Sequence, residues 1–265
     1  MADSQPSYAT LTLSYEGAQA LITLNRPDKR NAISYELIDE LLRAFGEIEQ
    51  SGAQILVLTG AGKAFCSGMD LDNLRSITGR TAEENRSDSA TMARLFRTLY
   101  EFPKVTIAAV NGPAIAGGCG LATLCDFTLA SSDAKFGYTE VRIGFVPAIV
   151  STFLLRQVGE KQARDLLLTG RVIGAEEALR MGLANEVVAP EKLMGRTHEL
   201  ANELLKNSPA SLLATKRLLK SYSSQELDRQ IEAAVEENAR IRTTADFREG
   251  VTSFLEKRTA LWSGK

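Results

Sequence analysis

The sequence predicts an α/β protein: strands and helices alternate up to about residue 145, and the rest of the chain is mostly helical. Three observations carry this. The run Ile55-Leu56-Val57-Leu58 is continuously apolar, the pattern of a strand covered on both faces in a parallel sheet, and 105–110 reads as another buried strand. Between them lie segments with apolar residues at helical spacing, such as Leu37, Leu41, Phe45 and Ile48. Beyond Val150 the helical spacing dominates.

Taken in order, residues 9–15 and 20–24 alternate as a hairpin turning at 16–19. Residues 26–31 form a charged loop. Ser34 caps the first helix and Gly52 ends it. Residues 60–72 read as a glycine-bearing loop, and 78–89 as a polar, mobile one before a helix over 90–101. The small residues of 112–120 lead into a helix starting at 121–125, and 127–130 and 135–136 read as short strands. Helices are then expected over 150–158, 161–168, 175–181, 191–206, 210–221, 225–242 and 247–261, with one strand at 185–188. The expected organisation is a core over 1–205 and a helical region over 206–265.

Composition narrows the function. A chain of 265 residues, 44% hydrophobic and 24% charged, can bury a large core. A net charge of −2 gives no general attraction for nucleic acid or an anionic membrane. Residues 1–10 lack the apolar segment of a secretory signal, and no stretch approaches the roughly 20 apolar residues of a membrane span. The three cysteines, Cys66, Cys119 and Cys125, show no CxxC spacing and read as buried reduced thiols, so a cytoplasmic location is expected. The single histidine, His198, lies in a polar helical stretch with no nucleophile motif nearby, which argues for a surface residue rather than a Ser-His-Asp triad or a zinc site. No metal or redox cofactor is expected.

Gly60-Ala61-Gly62-Lys63 comes after a strand, but Phe65 stands where a dinucleotide fingerprint needs its third glycine, and a P-loop needs a longer spacing. Two other loops pair better: Phe65-Cys66-Ser67-Gly68-Met69-Asp70, and the small-residue run from Asn111 to Gly120. Each lies between a buried strand and a possible helix, where backbone N–H groups lack internal partners. Two such groups aimed at one oxygen make an oxyanion hole. Tight turns that serve packing alone give the same pattern.

Phe65-Cys66-Ser67-Gly68-Met69-Asp70-Leu71 resembles one signature of the enoyl-CoA hydratase/isomerase (crotonase) superfamily. Ala108-Ala109-Val110-Asn111-Gly112 through Gly117-Gly118-Cys119 resembles a second. Cys125-Asp126, Phe136-Gly137 with Glu140, Leu24-Asn25-Arg26-Pro27, Leu168-Thr169-Gly170 and Phe254-Leu255-Glu256-Lys257-Arg258 extend the likeness over nearly the whole chain. The resemblance implies a spiral of ββα repeats with a helical C-terminal region that joins subunits into homotrimers or hexamers. It implies an acyl-CoA substrate, with coenzyme A part of the substrate rather than a cofactor. The N–H groups of Met69 and Gly117 would hold the thioester oxygen, and Glu140 would move the proton. The Ser67 carbonyl would meet the adenine, and Gly68, Asp70, Gly118 and Gly120 would shape the site. Arg26, Lys29, Lys63 and Lys257 would lie near the phosphates.

One departure matters. Hydratases of the commonest type carry a second glutamate three residues after the oxyanion glycine, where this chain has Gly120. The resemblance then implies one of three readings. Glu140 alone shuttles a proton between C4 and C2, which is Δ3-Δ2 isomerisation. Or Gly120 frees space, and a substrate carboxylate or another side chain places the water of a hydration. Or the site only binds CoA esters. Thr139-Glu140-Val141-Arg142-Ile143-Gly144-Phe145-Val146-Pro147-Ala148 resembles bacterial methylglutaconyl-CoA hydratases, which favours hydration of a branched enoyl-CoA. Asp70 is expected to brace its loop by accepting backbone N–H groups, and Asp126 to be structural. An RNA-binding role finds no basic-aromatic patch, and the pI near 5.7 opposes it.

Overall fold

A computed structural model describes residues 7–222 and 224–265. The hairpin is present: β1 (Leu11–Glu16) and β2 (Gln19–Leu24) pair antiparallel. The wholly buried strands β3 (Ile55–Gly60) and β4 (Val105–Val110) extend it in parallel. After β5 (Ala114–Ile115) come β6 (Phe127–Ser131), β7 (Lys135–Gly137), β8 (Val172–Gly174) and β9 (Glu186–Val188). They build a six-stranded sheet in the order β1-β2-β3-β4-β6-β9 and a three-stranded sheet in the order β5-β7-β8. The chain leaves the large sheet at β4, enters the small one at β5, returns at β6 and leaves again at β7. That alternation is the expected spiral.

The helices are α1 (Tyr35–Gln50), α2 (Leu71–Ile77), α3 (Ala82–Tyr100), α4 (Gly117–Thr123), α5 (Ala148–Thr169), α6 (Ala175–Met181), α7 (Leu193–Leu205), α8 (Pro209–Ser221), α9 (Ser224–Ile241) and α10 (Ala245–Glu256). Ser34 caps α1 as expected, its hydroxyl accepting from the Leu37 N–H at 3.2 Å. The two helices expected over 150–158 and 161–168 are one element with a break at Gly159, whose φ of 75° lies outside the helical range. The last helix stops at Glu256, because Lys257 turns left-handed at φ 56°.

One expectation is corrected. Residues 78–89 are not a polar loop: α3 begins at Ala82, with a capping box between Thr81 and Glu84. Asn85, Asp88 and Ser89 are polar but buried. Asn238 of α9 accepts from the Ser89 hydroxyl at 2.7 Å, Arg242, just beyond that helix, pairs with Asp88 at 2.5 Å, and the Asn85 amide donates to the Arg80 carbonyl at 3.4 Å. The apolar face of α9 (Leu227, Ile231, Ala234, Val235) joins the main core, so this C-terminal helix closes over the same interior as the sheets.

Candidate functional site

The two glycine loops are sewn to each other. The Cys66 and Phe65 N–H groups both donate to the Pro113 carbonyl at 3.1 Å, and the Ile115 N–H donates to the Cys66 carbonyl at 2.9 Å. A Cβ on Gly118 would stand 2.2 Å from the Cys66 carbonyl oxygen, so only glycine permits this approach. Asn31, fully buried, ties in a third segment by donating to the carbonyls of Ala61 and Ala64.

The seam fixes two N–H groups. Ile33 donates to the Gly68 carbonyl at 2.7 Å and accepts from the Asp70 N–H at 2.9 Å. In such a parallel bridge the central residue, Met69, turns its own N–H away from the partner. Gly117 is the first residue of α4, where an N–H has no partner within the helix. The residue before each is bent into the positive-φ region: Gly68 at 87°, and Ala116, which carries a side chain, at 51°. An alanine there is strained, and such strain persists where the surroundings enforce a particular orientation.

Met69 and Gly117 border a cavity of about 810 Å3. Ser67, Lys29, Asp70, Glu140 and Lys257 also line it. Glu140 starts a short 3-10 turn, Glu140–Ile143, and is only 8% exposed. Its Oε2 has no hydrogen-bond partner among the described residues. Burial pushes its pKa up to about 7. Arg142, its near neighbour in sequence, contributes nothing to that shift.

Of the residues expected at the site, Gly68 and Gly118 build the seam without lining the cavity, and Arg26, Lys63 and Gly120 also lie outside its lining. Arg26 is not in the cavity wall: its guanidinium donates to the Ala32 carbonyl at 2.6 Å and to Asp70 at 2.8 Å, bracing the loop from behind. Lys63 is exposed and lies outside the cavity lining. Gly120 does not free space. It is buried, and a Cβ there would stand 2.9 Å from Val150 Cγ1 and 3.2 Å from Phe96 Cζ. Those two side chains, which line the cavity, occupy the room that a side chain at position 120 would take.

Asp70 does brace its loop. Its Oδ1 accepts from the Asp72 N–H at 2.9 Å. Burial alone would raise its pKa, but the Asp72 N–H and the Arg26 guanidinium outweigh that and hold it low. Asp126 is structural, accepting from the Thr106 N–H and pairing with Lys216. His198 is half-buried, its Nδ1 at 3.1 Å from the Gln19 Oε1. Among the described residues no cluster of metal-ligating side chains and no helix able to cross a membrane is present. Sequence reasoning does not find Phe96, Asn238 or Arg242 as wall residues. Nothing local marks these three, since the long-range packing of α3, α5 and α9 brings them together.

The loops of the spiral and a buried carboxylate with an oxygen that has no hydrogen-bond partner among the described residues thus border one cavity, the arrangement of an enzyme's active site. The family model for enoyl-CoA hydratase/isomerase matches residues 15–265, and the chain belongs to that family, the crotonase superfamily. It is 47% identical over 244 residues to a putative enoyl-CoA hydratase of Thermus thermophilus, covering 92% of this chain and 96% of that one. A short-chain-enoyl-CoA hydratase of Clostridium acetobutylicum is 36% identical over 93% of this chain and 94% of its own length. The crystal structure of an enoyl-CoA hydratase/isomerase from Xanthobacter autotrophicus Py2 superimposes with a TM-score of 0.87 at 30% identity, covering 95% of this chain and 98% of that one.

Proposed function

We propose that this enzyme hydrates 2-enoyl-CoA thioesters with Glu140 as its sole acid/base. The observation that carries the reading is the Glu140 carboxylate, buried on the cavity wall with one oxygen free. The thioester oxygen sits between the N–H groups of Met69 and Gly117, which stabilise the negative charge as it develops. Glu140 takes a proton from water while the hydroxide adds to C3. The electrons of the double bond move into the thioester, giving an enolate. Glu140 then returns the proton to C2, and the 3-hydroxyacyl thioester leaves with the carboxylate regenerated. A carboxyl whose pKa lies near 7 suits both halves, since it accepts and gives up a proton at similar cost.

Lys29 and Lys257, exposed and lining the cavity, are read as contacts for the CoA phosphates, and the Ser67 carbonyl as an adenine contact. The exposed Leu218, Leu219 and Tyr222 at the end of α8 suit the subunit contacts of a homotrimer or hexamer.

A second reading has its own support. Phe96 and Val150 close the wall opposite Gly120, and a cavity with one acid/base and an apolar wall suits Δ3-Δ2 isomerisation. Turnover in H₂¹⁸O separates the two. Crotonyl-CoA giving a 3-hydroxy product that carries ¹⁸O is the expected result. Conversion of a 3-enoyl to a 2-enoyl ester, with no label and no hydration of crotonyl-CoA, would replace hydration by isomerisation.

A further inference from the structure

The turn Glu140–Ile143 ends at Gly144, in the left-handed region at φ 66°. α10 lies against it backbone to backbone. A Cβ on Gly250 would run into the Ile143 carbonyl, and one on Gly144 into the Asp246 carbonyl. With no side chain between the two backbones, a shift of α10 is passed to the turn. Phe145 adds to the contact. Its N–H donates to the Glu140 carbonyl at 3.1 Å, and its ring packs on Phe247 of α10 with centroids 5.4 Å apart.

α10 also reaches the loop with Met69. Phe247 and Val251 form one apolar cluster with Leu74 and Ile77 of α2, and Met69 packs against it. α10 is therefore a strut that touches both sides of the reacting site.

The strut is held in turn by the chain that follows it. Lys257 turns left-handed, and the chain comes back along the helix. Glu249 accepts from the Arg258 guanidinium at 2.6 and 2.9 Å and from the Leu261 N–H at 2.8 Å. In the first turn of α10, the Asp246 Oδ1 accepts from the Ser263 N–H at 2.7 Å and from its hydroxyl at 2.8 Å, and Oδ2 from the Gly264 N–H at 3.0 Å. Apolar burial adds little to this return, since Leu261 is 78% and Trp262 50% exposed. Polar bonds to two carboxylates hold the segment, and Asp246 is the one whose own carbonyl abuts Gly144.

We infer that Asp246 is a positioning residue for Glu140: by clasping Ser263 and Gly264 it fixes the first turn of α10, and with it the turn that carries the acid/base. The inference rests on the reading of Glu140 as that group. Glu140 keeps a pKa of about 7 because it is buried. A turn free to shift admits water, which misplaces the carboxylate and returns its pKa toward the ordinary value. A protein that is only less stable shows neither change in the molecules that stay folded.

The test compares Asp246→Ala with Asp246→Asn, which loses the charge but keeps an acceptor oxygen. Asp246 is partly exposed, so both are expected to fold. Turnover of crotonyl-CoA, or of a 3-enoyl ester if isomerisation is the reaction, is followed across the pH range, and butyryl-CoA binding by calorimetry. Asp246→Ala is expected to lower kcat about 5- to 50-fold. The butyryl-CoA dissociation constant should stay within about threefold. The acid limb of kcat, set in the wild type by a pKa of about 7, is expected to move down by about one pH unit. Asp246→Asn is expected to keep most of the rate and the position of the limb. An unchanged kcat and limb in Asp246→Ala overturn the inference. So does an asparagine variant as impaired as the alanine one, since the charge at the helix start would then matter rather than the clasp. Should Asp246→Ala not fold, Gly264→Ala, strained at φ 74°, loosens the same clasp from the other side and is held to the same expectations. Full turnover by Glu140→Gln would overturn the acid/base reading itself, and this inference with it.

Discussion

Two carboxylates nearly closed off from solvent line the same cavity and have opposite environments. Asp70, 3% exposed, is held by Arg26 and by the Asp72 N–H, and its pKa is low. Glu140, 8% exposed, has a free oxygen and a pKa near 7. Burial raises the pKa of any acid, so the difference lies in the partners. On the proposed mechanism the loop with Asp70 has to be rigid, because it would aim the Met69 N–H at the thioester oxygen. On the same proposal the turn with Glu140 has to leave its carboxylate uncompensated, because a paired carboxylate at neutral pH is a poor proton acceptor.

The comparison breaks most sharply at Glu140 itself. Glu140→Gln is expected to lower kcat for crotonyl-CoA by about 10²- to 10⁴-fold. The dissociation constant of butyryl-CoA should stay within about threefold, since amide and carboxyl have similar shape and a change that small is under about 1 kcal/mol. A fall in binding that matched the fall in rate would mean that Glu140 shapes the pocket rather than moving the proton.

The same carboxyl should weaken the fold as pH rises. Its ordinary pKa is 4.5 and its folded value about 7. Between these values the folded protein binds more protons than the unfolded chain, so stability is lost with rising pH across that window. Glu140→Gln lacks this loss. Its stability advantage over the wild type should be larger at pH 8 than at pH 5, by about 2–3 kcal/mol. Urea unfolding of both proteins at the two pH values measures it, and the subtraction cancels the other titrating groups. An advantage that does not change with pH would mean that Glu140 is solvated.

On the Asp70 side, Arg26→Met should destabilise the protein by about 1–3 kcal/mol, because it strips a buried carboxylate of its charged partner. As a brace, Arg26 affects catalysis through the aim of the Met69 N–H, so the variant should lose kcat on CoA and pantetheine thioesters alike. A loss confined to CoA esters, read as a raised KM, would instead make Arg26 a phosphate contact.

The strands and the loops are legible in the sequence because their signals are local. A continuous apolar run marks β3, a run broken only by Thr106 marks β4, and Ser34 marks the start of α1. The start of α3 is marked too, since Thr81 and Glu84 stand at capping-box spacing. Asn85, Asp88 and Ser89 mask it, because they are polar and polar residues suggest solvent. Asp88 pairs with Arg80, 8 residues away, and with Arg242, 154 residues away, and no local window contains the second partner. At the site, Glu140 and the two donor loops are legible from their motifs. The surroundings of Glu140 are not, because Phe96, Val150 and Arg242 meet only through the packing of α3, α5 and α9.

Gly120 is where local and distant information conflict, and it yields the smallest effect. Read alone, a glycine in place of a longer side chain suggests an opening. In the fold, Val150 and Phe96 have already closed it. A methyl group at Gly120 would meet Val150 Cγ1 at 2.9 Å and the Phe96 ring edge at 3.2 Å. Both contacts are with side chains rather than backbone, so they can give way. Gly120→Ala should therefore fold with a loss of about 1 kcal/mol, at the low end of overpacking costs. Adding Val150→Ala should return most of that loss, and a double-mutant cycle of melting or urea unfolding reads the coupling. Additive effects would mean that the wall is open at this point. A hydration that needs room beside Gly120 would then be possible without moving either side chain.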